Sequence, residues 1–366
     1  MLSYDAWMLS ELTLTKFRAF DSFTLRGLGR VNLLVGTNNC GKTSVLEAIS
    51  ILTTRSVIEV FNILGRRGEA HEDEVWEPDP SHLFHGRLAS DNVFSVQGFN
   101  DRHTSVTAEV RERAQGSFPA AEVSAQGVVY EGPPLTELEL TWDEHARADV
   151  APKRTSVTTP LSGRGGIELK SLQFVPDRNR TPVHFVTTEG LSAPRVISMF
   201  EEIVLTPDEE VVLEALRIIE PKLERIATIA PITQRLGSAR GGMVIRLDGV
   251  RVPIGSLGDG IWRLLGIALA LTRARGGILL VDEIDTGLHY SVLMQMWEFV
   301  YQVAKRLDVQ VFATTHSRDC VDSLAAITKD DRHDISLHRI ERGAKESVAF
   351  SEAELRAAAE RNLEVR

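Results

Sequence analysis

The sequence predicts an α/β fold in which strands alternate with helices around a phosphate-binding loop. Three observations carry that prediction. Gly36-Thr37-Asn38-Asn39-Cys40-Gly41-Lys42-Thr43 fits G-x-x-x-x-G-K-[ST] in full, directly after an apolar run and directly before a helical pattern. Ile278-Leu279-Leu280-Val281 reads as a buried strand that ends in two carboxylates, Asp282 and Glu283. Beyond residue 243, short apolar runs and helical apolar spacing succeed one another.

Leu12 and Leu14 alternate with Thr13 and Thr15, Phe23 and Leu25 follow, and Val31 to Val35 runs apolar into Gly36, which predicts three strands. From Thr43 onward, Val45, Leu46, Ile49 and Leu52 fall on one helical face. Residues 86–200 are rich in Gly, Pro, Ser and Thr, with strand-like runs at Val93 to Val96 and Glu137 to Trp142, and no chemistry is evident in them. Pro207 and Asp208 open a helical pattern that Val211, Leu213, Leu216, Ile219, Leu223 and Ile226 extend to residue 229, with Pro221 a kink or break. That segment is too short for a long coiled coil. Met243, Ile245 and Leu247 lead to Asp248-Gly249, a hairpin signal, and Val250 and Val252 return. A helix from Ile261 to Leu271, the strand 278–281, a helix from Tyr290 to Lys305 and the strand Val309 to Ala313 complete the alternation. The expected organisation is a split head, residues 1–85 and 239–366, interrupted by a β-rich region at 86–200 and a short helical arm at 201–238.

The chain has 366 residues and 43% hydrophobic content, enough for a sizeable core. No run approaches the roughly 18 to 20 apolar residues a membrane span needs, and no basic-then-apolar leader opens it, so a cytoplasmic protein is expected. Cys40 sits inside the phosphate loop, where a disulfide to Cys320 would obstruct it, so two reduced thiols are expected. A net charge of -10 argues against a surface that binds nucleic acid throughout. The local basic clusters are Arg66-Arg67 and Lys16 with Arg18, read as solvated charge.

In the loop, glycines at 36 and 41 let backbone N–H groups turn inward to phosphate oxygens, and the helix N-terminus adds partial positive charge. Lys42 is expected to reach the β- and γ-phosphates, Thr43 to give its hydroxyl to Mg²⁺, and Ser44 to donate to the α-phosphate. Asp282 is expected to bind Mg²⁺, and Glu283 to polarise the attacking water as general base. A bland strand terminus is the alternative for the two carboxylates.

With these motifs in this order the sequence resembles ABC-type ATPases, a class of P-loop NTPase. Ser256-Leu257-Gly258-Asp259-Gly260 resembles the family's signature segment, which in that family reaches across a dimer to the γ-phosphate held by the other subunit. Ser256, Gly258 and Gly260 before a helix also suit an anion site, or a plain cap. Asp285, with Gly287, Leu288 and His289, stands where the family has its D-loop. His316, 33 residues after Glu283, stands where it has a switch histidine, which implies contact with the γ-phosphate. Lys16-Phe17-Arg18-Ala19-Phe20 resembles the N-terminal basic-aromatic motif of the OLD-like and RecF-like branch, with Arg18 implied near the nucleotide. The resemblance covers residues 9–55 and 240–366.

It implies ATP and Mg²⁺ as cofactors and an ATPase that closes into a homodimer around them. Fifty residues follow His316, too few for the Toprim nuclease module of OLD proteins, so a separate effector, a nuclease or toxin in defence against phage or foreign DNA, is the partner implied. A RecF-like repair factor that clamps DNA and an ATP-bound scaffold with negligible turnover stay open as alternatives. The family's Mg²⁺-contacting glutamine could be Gln97, Gln115, Gln126 or Gln173. Asp330-Asp331 and Asp334 read as a solvated acidic loop.

Overall fold

The apolar runs anticipated on either side of the chain's middle are neighbours in one sheet. The computed structural model describes residues 8–71, 76–87, 93–99, 103–112, 136–145, 153–172, 181–229, 242–328, 334–361 and 363–365. In chain order the first elements are β1 (Glu11–Phe17), β2 (Phe20–Arg26), β3 (Val31–Val35), α1 (Lys42–Thr54), α2 (Val57–Arg67), β4 (Ala70–His71) and β5 (Glu77–Pro78). Then come β6 (Val93–Phe99), β7 (His103–Glu112), β8 (Thr136–His145), β9 (Lys153–Pro160), β10 (Val183–Val186), α3 (Ala193–Glu201) and α4 (Pro207–Leu216). The last third holds β11 (Leu223–Thr228), β12 (Met243–Leu247), β13 (Val250–Pro253), α5 (Asp259–Arg273), β14 (Ile278–Val281) and α6 (Tyr290–Leu307). It closes with β15 (Gln310–Thr314), α7 (Arg318–Ile327), β16 (Ile335–Arg339), β17 (Val348–Phe350) and α8 (Glu352–Glu360).

Two compact units result, 1–10 with 25–46 and 181–366, and 11–24 with 47–180. The first contains a six-stranded sheet ordered β10-β14-β15-β3-β16-β17, parallel except for the last pair. Its inner strands are mostly apolar, β14 continuously so, as in sheets covered by helices on both faces. In β3, β14 and β15 every residue is buried. The apolar faces of α4, α5 and α6 join these strands in one core. α5 is nearly all buried, from Ile261 to Thr272. Within the same unit β11, β12 and β13 form a three-stranded antiparallel sheet. Its hairpin turns on Asp248 and Gly249, both at positive φ, 47° and 77°, as the Asp-Gly pair predicts.

The second unit is dominated by an antiparallel sheet ordered β2-β1-β6-β7-β8-β9, with β2 ending in the first unit. The strands expected at Val93 and Glu137 are β6 and β8. Alternate residues of β8, Leu138, Leu140 and Trp142, are buried, and Trp142 Nε1 donates to Ile51 O at 3.1 Å.

Two expectations are corrected. The helix expected from 207 to 229 stops at Leu216, and Leu223–Thr228 is a strand paired to β12. The register slips at Glu224, a bulge that puts Leu223 and Ile226 on the same buried face three residues apart, the spacing of a helix. The short helical arm expected at 201–238 is thus, over its described residues 201–229, helix and strand packed into the core through Val211, Val212, Leu213, Leu216, Leu223 and Ile226. The region read as β-rich up to residue 200 also supplies β10 and α3 to the first unit. Cys40 and Cys320 are free, buried thiols. Among the described residues no helix is long and apolar enough to cross a membrane.

Candidate functional site

In a parallel sheet all strands end on one edge, and the loops leaving that edge are where ligands bind. β3 delivers the glycine loop there, β14 delivers Asp282 and Glu283, β15 delivers Thr314 to His316, and β10 delivers Thr187 and Thr188.

The loop turns at Gly36, φ 142°, and Gly41, φ 108°. A Cβ on Gly36 would stand 2.3 Å from the Ile340 carbonyl oxygen, so only glycine can take that path. Lys42, the first residue of α1, is buried and donates from Nζ to Gly36 O at 2.9 Å and Thr37 O at 3.0 Å. Its Nζ is also 3.4 Å from His316 Nδ1. Burial lowers the lysine's pKa, while Cys40, Asp282 and Glu283 act to raise it.

Thr43 donates to both carboxylate oxygens of Asp282, at 3.1 and 3.0 Å. Thr314 donates to the same carboxylate at 2.6 Å, and Thr188 at 3.4 Å. The Thr314 hydroxyl in turn accepts from the Glu283 N–H at 2.8 Å, so one side chain fixes both acidic residues. Glu283 holds left-handed backbone, φ 47°. Its carboxylate faces His316 Nε2 at 3.8 Å and accepts from Thr286 at 3.4 Å. Because Lys42 donates to His316 Nδ1, a neutral ring carries its proton on Nε2, toward Glu283.

From α5, buried Arg263 donates to the carbonyls of Asp282 at 2.6 Å, Glu283 at 2.8 Å, and Thr187. Desolvation lowers its pKa to about 10. Ser256 is exposed at the end of a short 3-10 turn, Ile254–Leu257, and Gly258, φ 83°, caps α5. A Cβ on Gly260 would lie 2.9 Å from Gly287 O, so α5 begins pressed against the loop after Glu283. Asp285 in that loop accepts from Thr315 at 2.6 Å.

Lys42, Thr43, Asp282, Glu283 and His316 are thus brought together. Asp285 is tied to Thr315 on the same edge, and Ser256, Gly258 and Gly260 lie at the start of α5. Arg18 is a correction. Its guanidinium is buried and pairs with Glu47 at 2.7 Å and Glu69 at 2.8 Å, so it is a structural cation of the second unit. Glu47 also pairs with Arg67, and burial raises its pKa against both arginines. The stretch 86–200 is not without chemistry either, since it contains Thr187 and Thr188. Sequence reasoning missed Thr188, Thr314 and Arg263. The signals were two threonines closing an apolar strand, Thr314 and Thr315, and one arginine inside the apolar pattern of 261–271. No glutamine is assigned: Gln97 lies in β6, and Gln115, Gln126 and Gln173 lie outside the described residues, as do Asp330 and Asp331. Asp334 accepts from Tyr301 at 2.7 Å.

The donor set fits a nucleoside triphosphate with a hard divalent cation. A threonine hydroxyl and a carboxylate are oxygen ligands suited to Mg²⁺. A buried ammonium at the mouth of a glycine loop, held by two carbonyls, an imidazole and the Cys40 sulfur, suits phosphate oxygens.

Comparison with known proteins agrees with this chemistry. Residues 31–319 match the family described as AAA domain, putative AbiEii toxin, Type IV TA system. A Helicobacter pylori protein named ATP/GTP phosphatase is 20% identical over 351 residues, covering 88% of this chain and 89% of that one. The DNA replication and repair protein RecF of Caulobacter is 47% identical over 70 residues, 17% of each chain. Among solved structures, the SMC head domain of Thermotoga maritima matches at TM-score 0.44 and 14% identity, covering 94% of this chain and 98% of that one. An SMC head from Pyrococcus furiosus, bound to the C-terminal domain of ScpA, matches at TM-score 0.48 and 11% identity, covering 97% and 99%.

Proposed function

The chain belongs to the AAA domain family described as putative AbiEii toxin, Type IV TA system, and we propose that within this ATPase family it is an ATP-hydrolysing switch that pairs with a second copy of itself. The observation that carries the reading is the convergence of Lys42, Thr43, Asp282, Glu283 and His316 on one sheet edge. Lys42 would leave the Gly36 and Thr37 carbonyls for the β- and γ-phosphates, and Ser44 and the loop N–H groups would bind the remaining oxygens. Thr43 and Asp282 would hold Mg²⁺, which supplies positive charge against the phosphate oxygens when bound. Glu283, fixed through Thr314 and Arg263, would accept a proton from the attacking water, and His316 would donate from Nε2 to developing negative charge.

Exposure of Ser256 supports the dimer: with Gly258 and the N-terminus of α5 it offers hydroxyl and N–H donors outward, to phosphate on a partner copy. A family description that names a toxin, together with the OLD-like motifs, supports control of a separate effector in defence against foreign DNA. The stretch shared with RecF favours a second reading, a DNA-repair ATPase whose turnover DNA stimulates.

The test uses Glu283→Gln, which keeps the shape of the side chain and cannot take a proton. With Mg-ATP its mass by light scattering is expected to double, with hydrolysis abolished, and Ser256→Glu is expected to restore the monomer by placing like charge against phosphate. Equal mass with and without ATP, together with turnover in both variants, refutes the switch.

A further inference from the structure

The basic clusters visible in the sequence are neutralised in the fold. Lys16 pairs with Asp21, Arg66 with Glu59, and Arg67 and Arg18 with Glu47. A different basic feature is assembled by strand pairing. Arg225 of β11 stands directly opposite Arg246 of β12, and Arg246 directly opposite Arg251 of β13. Residues opposite one another across antiparallel strands share a face. This is the outer one: all three arginines are exposed, whereas Ile226, Met243 and Ile245 of the other face are in the core.

Like charges directly opposite repel, so such a row is unfavourable for the isolated sheet. The fold relieves it only at Arg246. Arg225 and Arg251 have no carboxylate partner among the described residues, and Arg246 Nε alone pairs with Glu224 at 3.0 Å. The other oxygen of Glu224 accepts from the Gly249 N–H, and the nearby Lys222 is matched by Asp248. Beside the arginines runs a second row, Ala227, Val244 and Pro253, that is small and apolar and leaves the guanidinium groups open to the outside.

We propose that the outward face of β11–β13 binds the phosphate backbone of duplex DNA. Neighbouring strands are about 4.8 Å apart, so the row spans about 10 Å with one guanidinium per strand. Phosphates of one DNA strand advance about 3.4 Å each along the helix axis, so the row covers about three. A regular file of anions is what a regular file of cations matches. An acidic protein fits less well, since a flat row of Ala227, Val244 and Pro253 offers no pocket for the aromatic anchors on which protein interfaces depend. Phosphates carry no sequence information, so binding is indifferent to sequence. The inference stands apart from the nucleotide reading, because none of the three arginines belongs to the phosphate site.

The experiment is fluorescence anisotropy of a labelled mixed-sequence duplex of about 30 base pairs with the full chain, at roughly 50 to 200 mM salt. Binding is expected to weaken as salt rises. Arg225→Gln with Arg251→Gln is expected to weaken it further and to flatten the log–log slope by about 1.8, about 0.9 for each phosphate no longer neutralised. Arg225→Lys with Arg251→Lys is expected to keep the slope. Unchanged melting curves and DNA-free turnover in both variants establish that the fold is intact. The proposal is overturned if the wild type does not bind at the lowest salt, if the Gln pair leaves the slope unchanged, or if polyglutamate competes as well as unlabelled duplex at equal charge.

Discussion

Replacing Arg263 by Met keeps most of the side-chain volume and removes the guanidinium donors that hold the backbone at the end of β14. Three carbonyls, those of Asp282, Glu283 and Thr187, are deprived of a charged partner. Hydrogen bonds from a charged donor contribute about 2 kcal/mol each, so about 6 kcal/mol of favourable interaction disappears. The buried guanidinium was itself unfavourable. Its pKa falls well below the ordinary arginine value, to about 10, chiefly by desolvation, which corresponds to about 3 kcal/mol regained on removing the charge. The net loss is about 3 kcal/mol, and urea unfolding followed by tryptophan fluorescence should show the midpoint fall by about 1 M at a slope of about 3 kcal/mol per M. Turnover should suffer more than binding. Glu283 holds left-handed backbone, a conformation that costs about 1 to 3 kcal/mol and persists only while its surroundings enforce it. With the guanidinium gone, the Glu283 backbone is held by Thr314 at its N–H and by the Thr286 N–H alone at its carbonyl, and a carboxylate displaced by about 1 Å loses roughly 100-fold in kcat, while KM for ATP stays near the wild-type value. A variant with wild-type midpoint and kcat refutes this account of Arg263.

Lys42→Ala is expected to abolish ATP binding in calorimetry, since it removes the charge that balances the β- and γ-phosphates, and unchanged affinity contradicts the phosphate assignment. Gly36→Ala is expected to weaken nucleotide affinity more than tenfold, because its Cβ would collide with the Ile340 carbonyl 2.3 Å away; a variant that binds normally shows that the loop follows another path. His338 is buried and His184 partly buried, and desolvation lowers both pKa values to about 4. Unfolded chains take up these protons below about 6.5 while the folded protein resists until about 4, so stability is lost as pH falls through that window, by up to about 3 kcal/mol per histidine. His338→Gln should remove about half of that dependence in urea midpoints measured at pH 7 and pH 4.5, and an undiminished dependence places the titrating group elsewhere.

The phosphate loop, the β14 carboxylates and His316 were legible because each depends on a local pattern: glycine where the backbone must bend, an apolar strand before, a helix after. What escaped depends on pairing between distant segments. Thr188 reaches Asp282 across 94 residues, and nothing within residues 181–188 announces that this short strand lies beside β14. β11 was hidden by its own bulge, which spaces Leu223 and Ile226 as a helix would. Arg18 misled for the opposite reason. Its motif was local, but the carboxylates that hold it, Glu47 and Glu69, come from α1 and from just beyond the cap of α2. The arginine row is the extreme case, since three isolated basic residues become a feature only through register.

The order of strands in the parallel sheet also bears on how the protein is made. β3, which carries the phosphate loop, has β15 and β16 as its neighbours, with Val31 paired to Val311 on one side and to Ile335 on the other. Both partners leave the ribosome some 280 to 300 residues later, about 15 to 60 s at about 5 to 20 residues per second. Throughout that interval a strand that is four-fifths apolar and fully buried in the fold has neither hydrogen-bonding neighbour, while the hairpins β6 to β9 can pair as soon as they emerge. A nascent chain of this kind has an early, exposed, aggregation-prone edge and acquires its phosphate site late and all at once. Truncations short of residue 339 should therefore yield insoluble protein rather than a weakened enzyme.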